Sequence, residues 1–191
     1  FDALAQQEQT GRNAYEAMLD GLETIAAGSD GLITLPYFAG ERTPLNDPQA
    51  RGVIFGLTLN HTRQHLYKSA LEGVGYSIAQ HFDIIQEQHL PLNKIMAVGG
   101  GAKNPIWLQI IADISGQPIH TASVTLGAAF GDALMAALGT GYFHSFADFS
   151  TVIQPGKTYQ PNSENNARYQ PYRKIFEQLY RVNADLMHQL A

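Results

Sequence analysis

The chain has 191 residues, no cysteine and a formal net charge of -5. That length supports one sizeable core rather than two. The acidic balance gives no electrostatic case for a nucleic-acid or anionic-membrane partner, and the lack of Cys excludes disulfides and thiolate metal sites. Hydrophobic residues at 45% against 15% charged describe an ordinary soluble globular chain. No apolar run approaches the roughly 18 residues of a membrane span, and a cytoplasmic location is the expectation. Phe1 is not a start methionine and no signal-peptide pattern follows it, so the chain is expected to be a piece of a longer protein.

In chain order, Tyr15, Met18, Leu19, Leu22 and Ile25 recur at helical spacing and predict a helix over 13–27. Gly28-Ser29-Asp30-Gly31 ends it in a turn. Leu32 to Phe38 reads as a strand, and 39–52, with two prolines and mixed charge, as a loop. Val53, Phe55, Leu57 and Leu59 alternate as in a half-buried strand. Asn60 or Thr62 can cap a long helix whose apolar stripe is Leu66, Ala70, Val74, Ile78, Phe82 and Ile85, stopped by Leu90-Pro91. Ile95 to Val98 predicts a short buried strand. Asn104 or Pro105 opens a helix through Ile106, Ile110, Ile111 and Ile114, ended by Gly116. A short strand, QPIHTA, follows. Leu126 to Leu138 is a Gly/Ala-rich helix closed by Gly139 and Gly141, whose small residues suit close backbone approach. Residues 155–161 read as a loop, and the last helix runs from about Ala167 to Leu190. This alternation argues for an α/β layered domain with a partly parallel sheet.

The Gly99-Gly100-Gly101 run lies between a strand and a helix. Glycine allows positive φ and contact of a ligand with the main chain, and the helix start beyond it offers unpaired N–H groups. A tight structural turn explains the same residues. The run is neither a dinucleotide fingerprint, since Asn104 stands where a third glycine belongs, nor a P-loop. His61 and His65 have metal-ligand spacing but no third ligand near in sequence, and read as helix-start or surface histidines. Glu41 and Arg42 form a loop charge pair, and Asp47 and Arg51 could pair across a turn. Asp113 and Asp132 read as structural, and Trp107 as a core residue.

Five segments carry a family resemblance. Gly52-x-Ile54-x-Gly56-Leu57, seven residues, then His65-Leu66-x-x-Ser69-Ala70-Leu71-Glu72 resembles the second signature of the FGGY carbohydrate kinases. The stretch 35–52, LPYFAGERTPLNDPQARG, is similar to the bacterial xylulose-kinase branch of that family. Residues 97–119 resemble the family's adenosine-contacting segment, 126–141 the helix after it, and 168–180 the xylulose-kinase C-terminus.

The resemblance implies a ribonuclease H-like fold of the actin, hexokinase and heat-shock-ATPase type, with a mixed sheet flanked by helices. Residues 1–191 would be the C-terminal, nucleotide-binding domain of a two-domain sugar kinase, with 155–191 its closing loop and helix. ATP would bind between the domains with Mg²⁺ screening its phosphates. Gly100 and Gly101, with Gly99 in the same run, would lie against the nucleotide, and Asn104 would hydrogen-bond or flank the adenine. The sugar would bind mainly to the other domain, which would also carry the general-base aspartate, so this chain alone is expected to be inactive. A ketopentose such as D-xylulose is the expected acceptor, with gluconate or fuculose as alternatives. The family allows for a homodimer. A non-catalytic, actin-like nucleotide sensor is the competing reading.

Overall fold

A computed structural model describes residues 11, 17–123 and 127–190. Among the described residues five short strands and four α-helices follow in order: β1 (Ile33–Leu35), β2 (Val53–Phe55), α1 (Arg63–Glu87), β3 (Ile95–Ala97), α2 (Pro105–Ser115), β4 (Ile119–Ala122), α3 (Ala128–Gly139), β5 (Pro155–Tyr159) and α4 (Ser163–Gln189). β1 and β2 form an antiparallel ribbon. β3 and β4 are parallel, and β5 adds antiparallel to β4. The mixed sheet flanked by helices agrees with the fold expected from the sequence.

α2 is the hub. Its segment PIWLQIIADIS is apolar on nearly every side because it is buried on two. Ile110 and Ile114 join a core with Ile33, Leu35, Tyr76, Tyr169 and Phe176. Leu108, Ile111 and Ala112 face a second core with Ile119 and Tyr159. Asn104 caps the helix by accepting Trp107 N–H at 3.0 Å, and Gly116 ends it in the left-handed conformation, as the sequence predicts.

α1 presses so closely on β1 that a Cβ at Gly73 would stand 2.2 Å from the Thr34 carbonyl oxygen. Its buried residues are Lys68, Ser69, Glu72, Gly73, Gly75, Tyr76 and Ala79. The apolar stripe from Leu66 to Ile85 is only partly covered, and Leu66 is exposed. Close backbone approach selects small and hydrogen-bonded residues there, which an apolar periodicity does not detect. Thr62 is the cap, and His65 accepts its backbone N–H at 3.2 Å, in the place Glu or Gln takes in a capping box.

Other expectations are corrected. The predicted helix over 13–27 lies partly outside the described residues, and beyond Ala17 it is not continued. Gly21 takes φ 82°, and Leu22–Thr24 form a 3-10 turn. The 53–59 strand stops at Phe55 because Gly56 turns at φ 87°, and Ile54, Phe55, Leu57 and Leu59 are exposed. Among the described residues β2 pairs only with β1; Val53 packs against the first core, while Ile54 and Phe55 stay uncovered. The strand at 95–98 is not buried either: Met96 and Val98 are exposed at an edge with β4 as the one neighbour. Residues 155–159 form a strand, not a loop, with Pro155 at its first position where a missing N–H is tolerated. α4 begins at Ser163, earlier than expected, because Asn162 caps it through Asn165 N–H. The start of the Gly/Ala-rich helix at Leu126 falls outside the described residues. Gly131 and Gly139 of α3 meet open space, so among the described residues no close backbone approach occurs at these two glycines. Among the described residues no helix is long and apolar enough to cross a membrane.

Candidate nucleotide site

The glycine run sits at the C-terminal end of β3, where an open sheet feeds a helix. Gly99 takes φ 83°, ψ -165°, a conformation that disfavours any L side chain. The chain then makes a 3-10 turn over Gly100–Lys103, closed by Ala102 N–H to Gly99 O at 3.2 Å and Asn104 N–H to Gly101 O at 3.1 Å. The three glycines differ in their surroundings. A Cβ on Gly99 or Gly100 would meet nothing within 4 Å. One on Gly101 would stand 2.6 Å from Trp107 Cζ3. Gly99 and Gly100 therefore present bare backbone outward, while Gly101 rests on an indole ring.

A second glycine faces this turn. Gly127, at φ 66°, starts α3 without a side-chain cap, and its Cβ would lie 3.6 Å from Gly99 Cα. The first N–H groups of α3 thus open beside the run. The sequence reading did not single out Gly127. Its signal was a glycine just before a helical Ala-Ala pair.

Asn104 places Oδ1 on Trp107 N–H, so that atom serves the helix cap, while its Nδ2 has no protein partner among the described residues. Asp132 is exposed on α3 with no hydrogen bond or ion pair among the described residues.

The remaining candidates are structural. His61 Nδ1 accepts Thr58 N–H at 2.9 Å and His65 Nδ1 accepts Thr62 N–H, which places both ring protons on Nε2. His61 Nε2 then meets the Asp30 carbonyl at 3.3 Å and His65 Nε2 the Asp30 carboxylate at 3.1 Å. All four nitrogens are engaged, and no group of three His, Asp or Glu among the described residues could hold a metal. Asp113 accepts from Gln109, from Asn162 N–H and from Asn165, and so docks α4 on α2. Glu41 and Asp47 exchange backbone hydrogen bonds at 2.8 and 2.7 Å, which shapes the 41–47 loop. The Asp47–Arg51 pairing does not form. Arg51 donates to the carbonyls of Pro48 and Ala50. Asp47 instead takes Tyr180 and His188 from α4, and the hydrogen bond from His188 leads in holding its carboxyl below the usual range.

The signature helix carries a buried carboxyl. Glu72 is fully buried and accepts from Gly28 N–H at 3.1 Å, Ser29 at 2.7 Å and Tyr169 at 2.9 Å. Burial outweighs these donors and pushes its carboxyl up to about 7. Lys68, one turn earlier, donates to the carbonyls of Leu22 and Ile25, and burial lowers its ammonium. A cavity of about 470 Å³ opens beside Lys68, Asp113 and Arg168. Lys68 and Asp113 turn their polar atoms to protein partners, so the bare backbone at Gly99 and Gly100 is the stronger candidate site.

A family model described as "FGGY family of carbohydrate kinases, C-terminal domain" matches residues 1–140. The chain belongs to the FGGY family of carbohydrate kinases. It is 32% identical over 174 residues to a xylulose kinase of Bacillus subtilis (strain 168), covering 91% of this chain and 35% of that protein. It is 33% identical over 184 residues to the gluconokinase of the same strain, covering 95% and 36%. The ligand-bound crystal structure of xylulose kinase from Lactobacillus acidophilus superposes with a TM-score of 0.81 at 27% identity, over 98% of this chain and 38% of that one. The chain thus spans little more than a third of the length of these FGGY proteins. The fold is theirs.

The residues of the FGGY signature have physical roles in this fold. Gly56 is required because a Cβ would lie 2.3 Å from the Gly31 carbonyl oxygen. Ser69 shares a hydrogen bond with Thr34 at 2.8 Å. His65 completes the capping box of α1 with Thr62, and Glu72 fastens Gly28, Ser29 and Tyr169. These residues assemble the β1–β2 ribbon, α1 and α4.

Proposed function

We propose that this chain is the nucleotide-binding, C-terminal domain of an ATP-dependent sugar kinase. The observation that carries the reading is the outward bare backbone of Gly99 and Gly100, at a strand end beside the uncapped start of α3 at Gly127. Such a surface suits a flat or anionic ligand, since main-chain N–H groups can be reached without a side chain intervening. Family membership makes adenosine the fitting ligand. Asn104 Nδ2, which has no protein partner among the described residues, is a polar group close to the run that can contact the base.

In this reading the chain binds and orients ATP, and the γ-phosphoryl passes to a sugar hydroxyl held by the rest of the protein. Closure of the two parts excludes water around the transfer. Glu72 and Asp113 are committed to buried networks, and Asp132 has no orienting partner, so the general base is assigned to the other domain. The described residues offer no acidic cluster for Mg²⁺, and no step is assigned to the ion here. D-xylulose is the proposed acceptor. Gluconate is the second reading, because the gluconokinase is as similar to this chain as the xylulose kinase is. A coupled ADP-release assay of the full-length protein across a sugar panel tests this. Turnover of gluconate without xylulose would overturn the xylulose assignment. No turnover of any sugar, with ADP still bound, would favour the sensor.

The structure also selects the substitution that tests the site. Gly101→Val would strike Trp107 and perturb the fold whatever binds. Gly100→Val projects into open space, so its effect on ADP affinity reports on the ligand surface.

A further inference from the structure

Two motifs that stand some thirty residues apart in sequence meet at one side chain. Trp107 lies in the first turn of α2, with its ring against Gly101 on the side where a Cβ would point. Its backbone N–H binds Asn104 Oδ1 at 3.0 Å. Its indole Nε1 donates to the Leu71 carbonyl at 3.1 Å, in the middle of α1. Leu71 precedes the buried Glu72, whose three donors fix that part of α1. The glycine turn itself is closed by only two backbone hydrogen bonds, at 3.2 and 3.1 Å.

We infer that Trp107 is a positioning residue for the nucleotide, acting as the floor beneath Gly101 and mooring that floor to α1 through its indole N–H. This rests on the nucleotide reading above and adds to it. The three glycines supply no side chains to hold one another in place, and a chain of glycines is entropically costly to order. A rigid aromatic underneath reduces the conformations open to the turn. The indole N–H decides where the ring sits, because a half-buried Trp donor is satisfied at one carbonyl. Asn104 and Gly101 are then spaced by one rigid residue, and the ligand approaches from the face opposite the ring.

Trp107 is the one tryptophan of the chain, so it is also a built-in reporter. The test combines ADP titration followed by tryptophan emission and by calorimetry for the wild type, with calorimetry and thermal melting for Trp107→Phe. Phe keeps an aromatic ring but removes the N–H and the ring atoms that reach Gly101. The expected result is a saturable emission change in the wild type with the calorimetric Kd, and a Kd about three- to tenfold weaker in the variant, the size of one lost hydrogen bond. A residue that merely fills the core would lower the melting temperature and leave the Kd unchanged. That outcome, or an emission blind to ADP, overturns the inference while the nucleotide site stands. No ADP binding by the folded wild type overturns both.

Discussion

Tyr169 donates its hydroxyl to Glu72 Oε1 at 2.9 Å, joining the signature helix to the C-terminal helix across 97 positions of sequence. The same oxygen takes Gly28 N–H, and Oε2 takes Ser29. One buried carboxyl therefore ties three segments together. Its elevated pKa means that folding takes up a proton between the ordinary carboxylate value and about 7. Stability should fall as pH rises through that window and level off above it, by about 3 kcal/mol at most. Melting curves of wild type and Glu72→Gln from pH 5 to 8 check this. The wild type should lose stability relative to the variant as pH rises. Parallel profiles would contradict the assignment.

Gly73→Ala should destabilise the fold despite Ala's better helix propensity. The propensity gain is about 1 kcal/mol. The new Cβ would sit 2.2 Å from the Thr34 carbonyl oxygen, a backbone atom that cannot swing aside. Overpacking of this kind costs about 1–3 kcal/mol or more, so the clash wins. Chemical denaturation should show a lower midpoint, and an unchanged or higher one would refute the close α1–β1 approach.

Asp113→Asn should loosen the start of α4. The amide presents Nδ2 where Asn165 Nδ2 now donates to a carboxylate oxygen at 2.8 Å. Loss of a charge-assisted hydrogen bond costs about 1.5–3 kcal/mol. Hydrogen exchange should accelerate at 163–166 well before it does in α2. Uniform exchange across both helices would argue against a local anchor.

The Asp47 contacts with Tyr180 and His188 close the 41–47 loop onto α4. Because the Asp47 pKa is depressed, this contribution is present above the ordinary carboxylate value and is lost as pH falls through the lowered one. His188→Ala should lower the melting temperature at pH 6 and have less effect at acid pH, where Asp47 is protonated. An equal loss at both pH values would rule out the carboxylate as the source.

Legibility in the sequence followed local chemistry. α2 was readable end to end because its cap, its apolar body and its Gly116 stop are all written in adjacent residues. The turn nature of Gly99–Gly101 was readable for the same reason. The buried face of α1 was not, because Ser69, Glu72 and Gly73 are selected by partners 35 to 97 residues away. β5 was hidden by Pro155 and Gly156, turn formers that an edge strand tolerates at its start. The exposure of Leu57 and Leu59 was unreadable from periodicity, which records that a face is apolar and not what covers it. At the site, the distinct surroundings of Gly100 and Gly101 depend on where one indole lies in space. The family signature pointed to the right fold, yet its residues turn out to hold elements together and none of them lines the glycine turn.

Calorimetric titration of ADP into this chain and into Gly100→Val is the most direct test of the central claim. The wild type should bind measurably and the variant at least tenfold more weakly, with melting temperatures within about 2 °C of each other. Equal affinity in the two, or no binding by a folded wild type, would contradict the placement of the nucleotide on the glycine turn.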